Sequence, residues 1–470
     1  MGKYKTLGKN SLYVMIGTFG SKFISFLMLP LYTRWLSVSD FGLTDLLTIY
    51  STLVTSIFSL SLNESIFVFP ARQSKDQQAK YFTSGICTVL FMSIIVLIIS
   101  FLTKLISNTY GIENSFADNL WLIYALYFAT AIQTYLQMFC QGINKMRTFC
   151  FAGIIYTGAT AIFSFWLIPK IGVVGFVLAN VFANLSSSLF IVLGEKIYCF
   201  FSFKFFDRQC LNEMLKYSVP MIPNTIMWWI LSAINRPIIN AHLGLEAIGL
   251  FAVANKLSSA VSSLTQIFTS SWQVSVLQEY GKKDFSEFFN NIGRTFFAVL
   301  ILLSCSMAVF SPFIIKVTVD SKFFESWRFL PIISLAVVFN GLSSHAGTLF
   351  SATKTSKYFL YSSIAGAMCS IVFNILLIPW IGLYGASISF TLSQVAIGLY
   401  RLYFANRIIK YKYLYQFAFL LLGNIGLLVL IFFEKWIASY CLYLLIIGIS
   451  IYFNRTFLIS ICKKCGLIHS

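Results

Sequence analysis

The sequence predicts an all-α polytopic membrane protein. It has about fourteen transmembrane helices, arranged as two parallel six-helix repeats with two further helices behind them. Three observations carry this. Of 470 residues, 58% are hydrophobic and only 11% charged, against about 25% charged in soluble domains. Apolar runs such as 85–102 and 417–433 are continuous over a helix-spanning length. They lack the alternation of a membrane-spanning strand, so a β-barrel is excluded. Finally, segments of the first half recur about 210 positions later.

Gly, Pro and charge punctuation divide the apolar runs into spans near 10–33, 41–68, 81–104, 117–141, 148–168, 172–195, 216–241, 246–278, 288–315, 329–352, 356–379, 382–406, 413–433 and 436–460. The first lacks a small-residue cleavage site and belongs to the repeat, so it is expected to be a span and not a cleaved leader. The second and eighth exceed what a bilayer needs, which predicts tilting or projection into water. Pro237 lacks an N–H and is expected to break or kink the seventh. The divisions expected are an amino-terminal lobe at 1–198, a short charged linker at 199–215, a second lobe at 216–408 and two added helices at 409–470.

Net charge is +18, from 34 Lys and Arg against 16 Asp and Glu. The basic residues fall singly between apolar runs and form no stripe, which argues against nucleic acid. They follow topology instead. Alternate connections, including both termini, hold 24 of them and the opposite connections seven. Positive charge stays inside, so both termini are expected in the cytoplasm.

The duplication is read from three matches. Ile168-Pro-Lys-Ile-Gly-Val-Val-Gly175 lies over Ile378-Pro-Trp-Ile-Gly-Leu-Tyr-Gly385. The turn at Gln141–Phe149 lies over Ser351–Phe359, and Leu36, Gly42 and Leu43 lie 207 positions before Leu243, Gly249 and Leu250. Six spans separate matching points, so both copies enter the membrane in one direction, related by an axis along its normal. Such halves typically enclose a midplane cleft and rock about it, an architecture that predicts a transporter.

Polar side chains recur at helical spacing in equivalent spans. The second carries Asp45, Thr48, Thr52, Thr55, Ser59 and Asn63; the eighth carries Asn255, Ser259, Ser262, Gln266 and Ser270. The fourth adds Gln133, Gln137, Gln141 and Asn144. A stripe of small polar residues also serves as a packing seam. Repetition, with amides at membrane depth, favours the lining of a water-filled cavity.

Three cations fall inside spans: Lys22, Arg236 and Lys256. Lys22 lies roughly 18 Å into the first helix, near mid-bilayer. Each costs about 2.5–3.5 kcal/mol on insertion, so such residues mark a substrate path or sit in a structural ion pair. Few acids share that depth, which predicts an electropositive passage for an anion. Arg34 and Glu64 are read equally as interfacial. His242 and His345 near span ends are read as ordinary polar residues.

No chemistry of another class is evident. The ten cysteines lie mostly in apolar runs, and Cys462-Lys-Lys-Cys465 lacks a second pair for zinc. No catalytic residue, metal site or cofactor is expected. The longest outer connection, near 316–328, is too short for a polymerase or ligase site.

The run from Phe23 to Gly42 places Pro30-Leu-Tyr-Thr-Arg34 before Leu36-Ser37 and Asp40-Phe-Gly42. It resembles the amino-terminal signature of bacterial polysaccharide flippases, the O-antigen or Wzx-type branch of the multidrug/oligosaccharidyl-lipid/polysaccharide (MOP) superfamily. That resemblance implies a bacterial cytoplasmic membrane and an undecaprenyl-diphosphate-linked oligosaccharide, an O-antigen or capsular repeat unit, flipped to the outer leaflet by alternating access. Polymerase and glycosyltransferases of the same pathway would be partners.

Under this reading Lys22, Arg236, Lys256 and Arg34 compensate the diphosphate. Asn63, Asn255, Gln266 and Gln137 meet the sugars. Asp45 and Glu64 are the candidates for proton or sodium coupling. Within the superfamily, a drug or cation exporter would be expected to carry a buried acid where Lys22 stands, whereas a peptidoglycan-precursor flippase also handles a lipid diphosphate.

Overall fold

The computed structural model describes residues 24, 26–71, 73–110, 115–355 and 357–464, and all regular structure among them is helical. The chain divides into two compact units, Met1–Trp229 and Ile230–Ser470.

In the first unit, α1 (Leu29–Trp35) stops where Leu36 turns extended, and α2 (Val38–Phe58) starts at once. Ser37 and Asp40 form a capping box. The Ser37 hydroxyl accepts from the Asp40 amide at 3.0 Å, and the Asp40 carboxylate accepts from the Ser37 amide at 3.4 Å. The Leu-Ser and acidic positions of the signature are thus a helix stop followed by a helix start.

The expected single span at 41–68 is corrected. Leu60 and Ser61 adopt φ of +51° and +50°, and the chain resumes as α3 (Leu62–Val68). No Gly or Pro marks the break, which a run of L-residues resists by roughly 1–2 kcal/mol each.

Next come α4 (Lys75–Tyr110), α5 (Ser115–Asp118), α6 (Leu120–Gly142) and α7 (Met146–Gly194). Tyr81, Phe82, Tyr127, Tyr135 and Phe139 fill the core between α4 and α6. Beyond α7 the linker residues are docked on α4. Asp207 caps α8 (Arg208–Ser218), its carboxylate meets Lys80 at 3.1 Å, and its amide donates to Ser84 Oγ at 2.9 Å. Tyr81 adds a 2.7 Å bond to Glu213. α9 (Ile222–Ala233) follows, and Trp229 donates to the Ile49 carbonyl at 2.9 Å.

The second unit holds the rest: α10 (Asn235–Glu279), α11 (Phe285–Val309), α12 (Ser311–Thr318), α13 (Leu330–Ala352), α14 (Lys357–Ile408), α15 (Leu414–Phe432) and α16 (Trp436–Lys464). Among the described residues, nine helical stretches are long and apolar enough to cross a membrane. Three of these contain an internal break and fold back on themselves, at Gly172, Gly244 and Gly382. With α6, these account for the second to fourteenth spans predicted from sequence; most of the first lies outside the described residues. The protein is a multi-pass membrane protein.

The duplication is visible atom by atom. Ile171–Gly172 and Ile381–Gly382 adopt the same pair of non-helical conformations, the glycines at φ/ψ +54°/−126° and +59°/−134°. That region is closed to side chains. Each break closes a helical hairpin. Ser187 Oγ donates to the Ala152 carbonyl across the first at 3.0 Å, and Arg401 Nε to Ser362 Oγ across the second at 2.9 Å.

The turn before each hairpin is also shared. Asn144 and Lys354 take φ of +63° and +56°. Lys145 and Thr355 then donate back to Cys140 and Phe350, at 2.8 and 2.9 Å. Even an interhelical polar contact repeats: Asn184 to Thr130 in one unit, Gln394 to Asn340 in the other, both at 3.5 Å.

Candidate functional site

The two polar stripes share one local chemistry. On α2, the hydroxyls of Thr48, Thr52 and Thr55 donate to the carbonyls four residues earlier at 2.7, 2.8 and 2.8 Å. On α10, Ser259, Ser262 and Ser270 do the same at 2.7, 3.3 and 2.9 Å. Hydroxyls satisfied by their own helix carry no desolvation penalty and keep lone pairs facing outward. Thr48, Thr52, Ser259, Gln266 and Ser270 are exposed, while Asp45, Asn63, Asn255 and Lys256 are partly so. Neither stripe is sealed as a packing seam.

A third stripe behaves differently. Gln133 donates to Gln137 at 2.9 Å and to Ser187 at 3.4 Å, and Gln137 donates to the Phe149 carbonyl at 3.0 Å. These amides join α6 to α7.

The cations separate by surroundings. Lys22 lies outside the described residues. Arg34, at the end of α1, and Glu64, on α3, are exposed. Lys256 is half-buried on the open face of α10.

Arg236 is 3% exposed and enclosed within the second unit. Its guanidinium donates to the Ser232 carbonyl and to Asn235 Oδ1, both at 2.8 Å, and lies 4.9 Å from the Phe251 ring. The expected break near Pro237 is present: α9 ends at Ala233 and α10 begins at Asn235, so Pro237 occupies a first turn where no donor is needed. Arg236 thereby supplies a donor to the Ser232 carbonyl near the end of α9.

Two buried groups escape sequence reasoning. Arg401, counted there among the loop charges, is 6% exposed inside the α14 hairpin. It bonds Ser362 at 2.9 Å and the Ser343 carbonyl at 3.4 Å, with its charge 4.9 Å from Phe359. His345 is fully buried in an aromatic box of Trp272, Phe289, Phe297 and Tyr411, with ring centroids 5.6, 4.3, 5.3 and 6.2 Å away. Both of its ring nitrogens lack a partner. Ser362 lies 39 positions from Arg401 and Phe289 lies 56 from His345, so no local pattern announces either cage.

No group of three or more His, Cys, Asp or Glu side chains suited to a metal ion occurs among the described residues.

Residues 7–273 match the family described as polysaccharide biosynthesis protein, and residues 220–376 match the MatE family. An uncharacterised membrane protein of Methanocaldococcus jannaschii is 22% identical over 431 residues, covering 86% of this chain and 99% of the relative. Among solved structures, the inward closed lipid II flippase MurJ matches with TM-score 0.66 at 16% identity, covering 96% of this chain and 99% of that one. An inward-facing multidrug resistance MATE transporter of the MOP superfamily matches with TM-score 0.63 at 13% identity, covering 85% and 94%. These similarities establish a MOP-type fold. With more than half its length covered by one family, the chain belongs to the polysaccharide biosynthesis protein family.

Proposed function

We propose that this protein is a flippase that moves an undecaprenyl-diphosphate-linked oligosaccharide, an O-antigen or capsular repeat unit, from the cytoplasmic to the outer leaflet by alternating access. The observation that carries the reading is the pair of open hydroxyl- and amide-rich faces, α2 and α10, at equivalent places in the two repeats. Their lone pairs and amides suit sugar hydroxyls. Lys22, Lys256 and Arg34 compensate the diphosphate, and Arg236 acts from the helix junction it holds together. Asn63, Asn255, Gln266 and Gln137 belong to the sugar path, Gln137 through the α6–α7 contact it makes. Asp45 and Glu64 couple transport to a proton or sodium ion.

The family match to polysaccharide biosynthesis supports a glycan cargo, and the likeness to a lipid II flippase supports a lipid diphosphate. That second likeness also favours a specific alternative, a peptidoglycan precursor as cargo. The MatE match over 220–376 favours a drug exporter instead.

Deletion of the gene, followed by mass analysis of lipid-linked glycans, separates the three. A repeat unit accumulating on undecaprenyl diphosphate inside the cell is the expected result. Accumulated lipid II, or drug sensitivity with normal glycans, would replace the proposal.

A further inference from the structure

The segment joining α7 to α8 is two-sided. Ile197 is buried in the core of the first unit. The Phe200 ring meets Phe139 of α6 at 5.4 Å, and the Phe200 carbonyl accepts from Thr83 of α4 at 2.8 Å. Those contacts seat one side of two short 3-10 turns, Ile197–Cys199 and Phe203–Phe205. The other side is uncovered. Tyr198, Phe201, Phe203 and Phe206 are exposed, Phe203 by 77%, and the rings of Phe201 and Phe203 lie edge to face at 5.4 Å. Four exposed aromatic rings within nine positions are not the surface of a loop that faces water.

Charge is sorted in the same way. Each acid between positions 195 and 213 has a partner: Glu195 with Lys145 at 3.0 Å, Asp207 with Lys80 at 3.1 Å, and Glu213 with Tyr81 at 2.7 Å. Lys196, Lys204 and Arg208 are exposed, and among the described residues none of them forms an ion pair. Depth agrees with a bilayer surface. Exposed Leu185, Leu189 and Leu193 succeed one another turn by turn along α7, a face for acyl chains that ends five residues before Tyr198. On α4, Ser84 bonds the Asp207 amide, and exposed apolar side chains begin at Leu90. That is about 9 Å further along at 1.5 Å per residue, and the headgroup layer is about 5–8 Å thick on each side of the hydrocarbon. The linker therefore sits at headgroup level.

We propose that residues 196–208 are an interfacial anchor for acidic phospholipid: their aromatic rings enter the boundary between headgroups and acyl chains of the adjoining leaflet, and Lys196, Lys204 and Arg208 bind lipid phosphates there. Phosphodiester oxygens accept from the three cations. Ring burial alone would hold the segment on any lipid. The cations make it selective, each adding about fivefold near an acidic surface. Lipid that holds the outer side stabilises the docked linker by mass action, so bilayer composition sets how firmly residues 196–208 stay on α4. The inference does not depend on the cargo proposed above.

The test uses the purified full-length protein in nanodiscs of phosphatidylcholine, alone or mixed with phosphatidylglycerol, read by hydrogen exchange over residues 196–208. Phosphatidylglycerol should raise protection there several-fold, and added salt should remove the gain. K196Q/K204Q/R208Q should abolish the gain and leave protection in phosphatidylcholine as it was. F201S/F203S should lower protection in both lipids. In parallel, phosphatidylglycerol carrying a photoreactive group high on its acyl chain should label the peptide that holds Phe201 and Phe203. Equal protection in the two lipids, or a gain that survives the triple Gln variant, overturns the acidic-lipid assignment. No labelling of that peptide places the rings in water and overturns the anchor, as does protection that appears only when a soluble protein is added. Should F201S/F203S not fold, the charge variant and the labelling decide.

Discussion

Gly175 packs so closely that a Cβ added to it would lie 2.5 Å from the Leu167 carbonyl oxygen, and 210 positions later Gly385 stands 2.3 Å in the same sense from Leu377. The motif I-P-x-I-G-x-x-G has a physical reading in both repeats. Pro withdraws a helical donor, the first Gly takes a backbone conformation closed to other residues, and the second lets the returning helix pass against the outgoing backbone.

Gly175→Ala and Gly385→Ala are therefore expected to destabilise, by about 2 kcal/mol or more, since the clashing atom is backbone and cannot swing away. Gly158→Ala, where nothing lies within 4 Å of the new Cβ, is the contrasting case. Mid-helix Ala there should stabilise by up to about 1 kcal/mol. Thermal unfolding of the three variants in detergent checks the order. Equal loss in all of them would reject the close-approach argument.

The docked linker should loosen in acid. The Lys80 ammonium, followed by the Gln209 and Cys210 amides, holds the Asp207 carboxyl below its ordinary range. A depressed carboxyl stabilises the fold above its unfolded value, and that contribution disappears as pH falls through the lower folded value. Hydrogen-exchange protection in residues 199–218, taken relative to the intrinsic rate at each pH, should fall as pH is lowered through the carboxylate range, and Asp207→Asn should flatten the response. An unchanged profile in the variant would assign the pH effect elsewhere.

His345 offers a test of packing against titration. Phe at this position keeps a flat aromatic ring in the box and removes two buried nitrogens that have no partner. Replacing an unsatisfied polar group by an apolar one of similar shape is neutral or stabilising. His345→Phe should thus unfold no earlier than wild type and transport with the same pH dependence. A large loss of stability or of transport would show that a hidden partner meets the imidazole.

For the proposed cargo path, Lys22→Ala, Lys256→Ala and Arg236→Ala should each cut glycan export by about tenfold or more while membrane insertion persists. Lys22→Arg should keep most activity, because charge matters there more than shape. Arg236→Lys should not rescue, because the guanidinium bonds the Ser232 carbonyl and Asn235 together. Normal surface glycan in the Ala variants would remove these residues from the path.

Much of this protein was legible in one dimension. Hydrocarbon forces long apolar helices, so the spans follow from composition along the chain. Duplication leaves its trace in the turns, where Gly and Pro are irreplaceable. The stripes of α2 and α10 were legible through helical spacing. Their openness was not, because a packing seam and a cavity lining share one pattern. Span two concealed its own break: Leu60 and Ser61 are ordinary residues forced left-handed by what surrounds them.

The sequence by itself determined which segments cross the membrane, where they reverse and which side chains share a helix face, because these depend on local backbone chemistry and on solvent. Tertiary structure alone decided which polar groups are enclosed. Arg236, Arg401 and His345 are each defined by neighbours from distant turns or other helices. Burial is a property of those neighbours, and spacing along a single helix does not encode it.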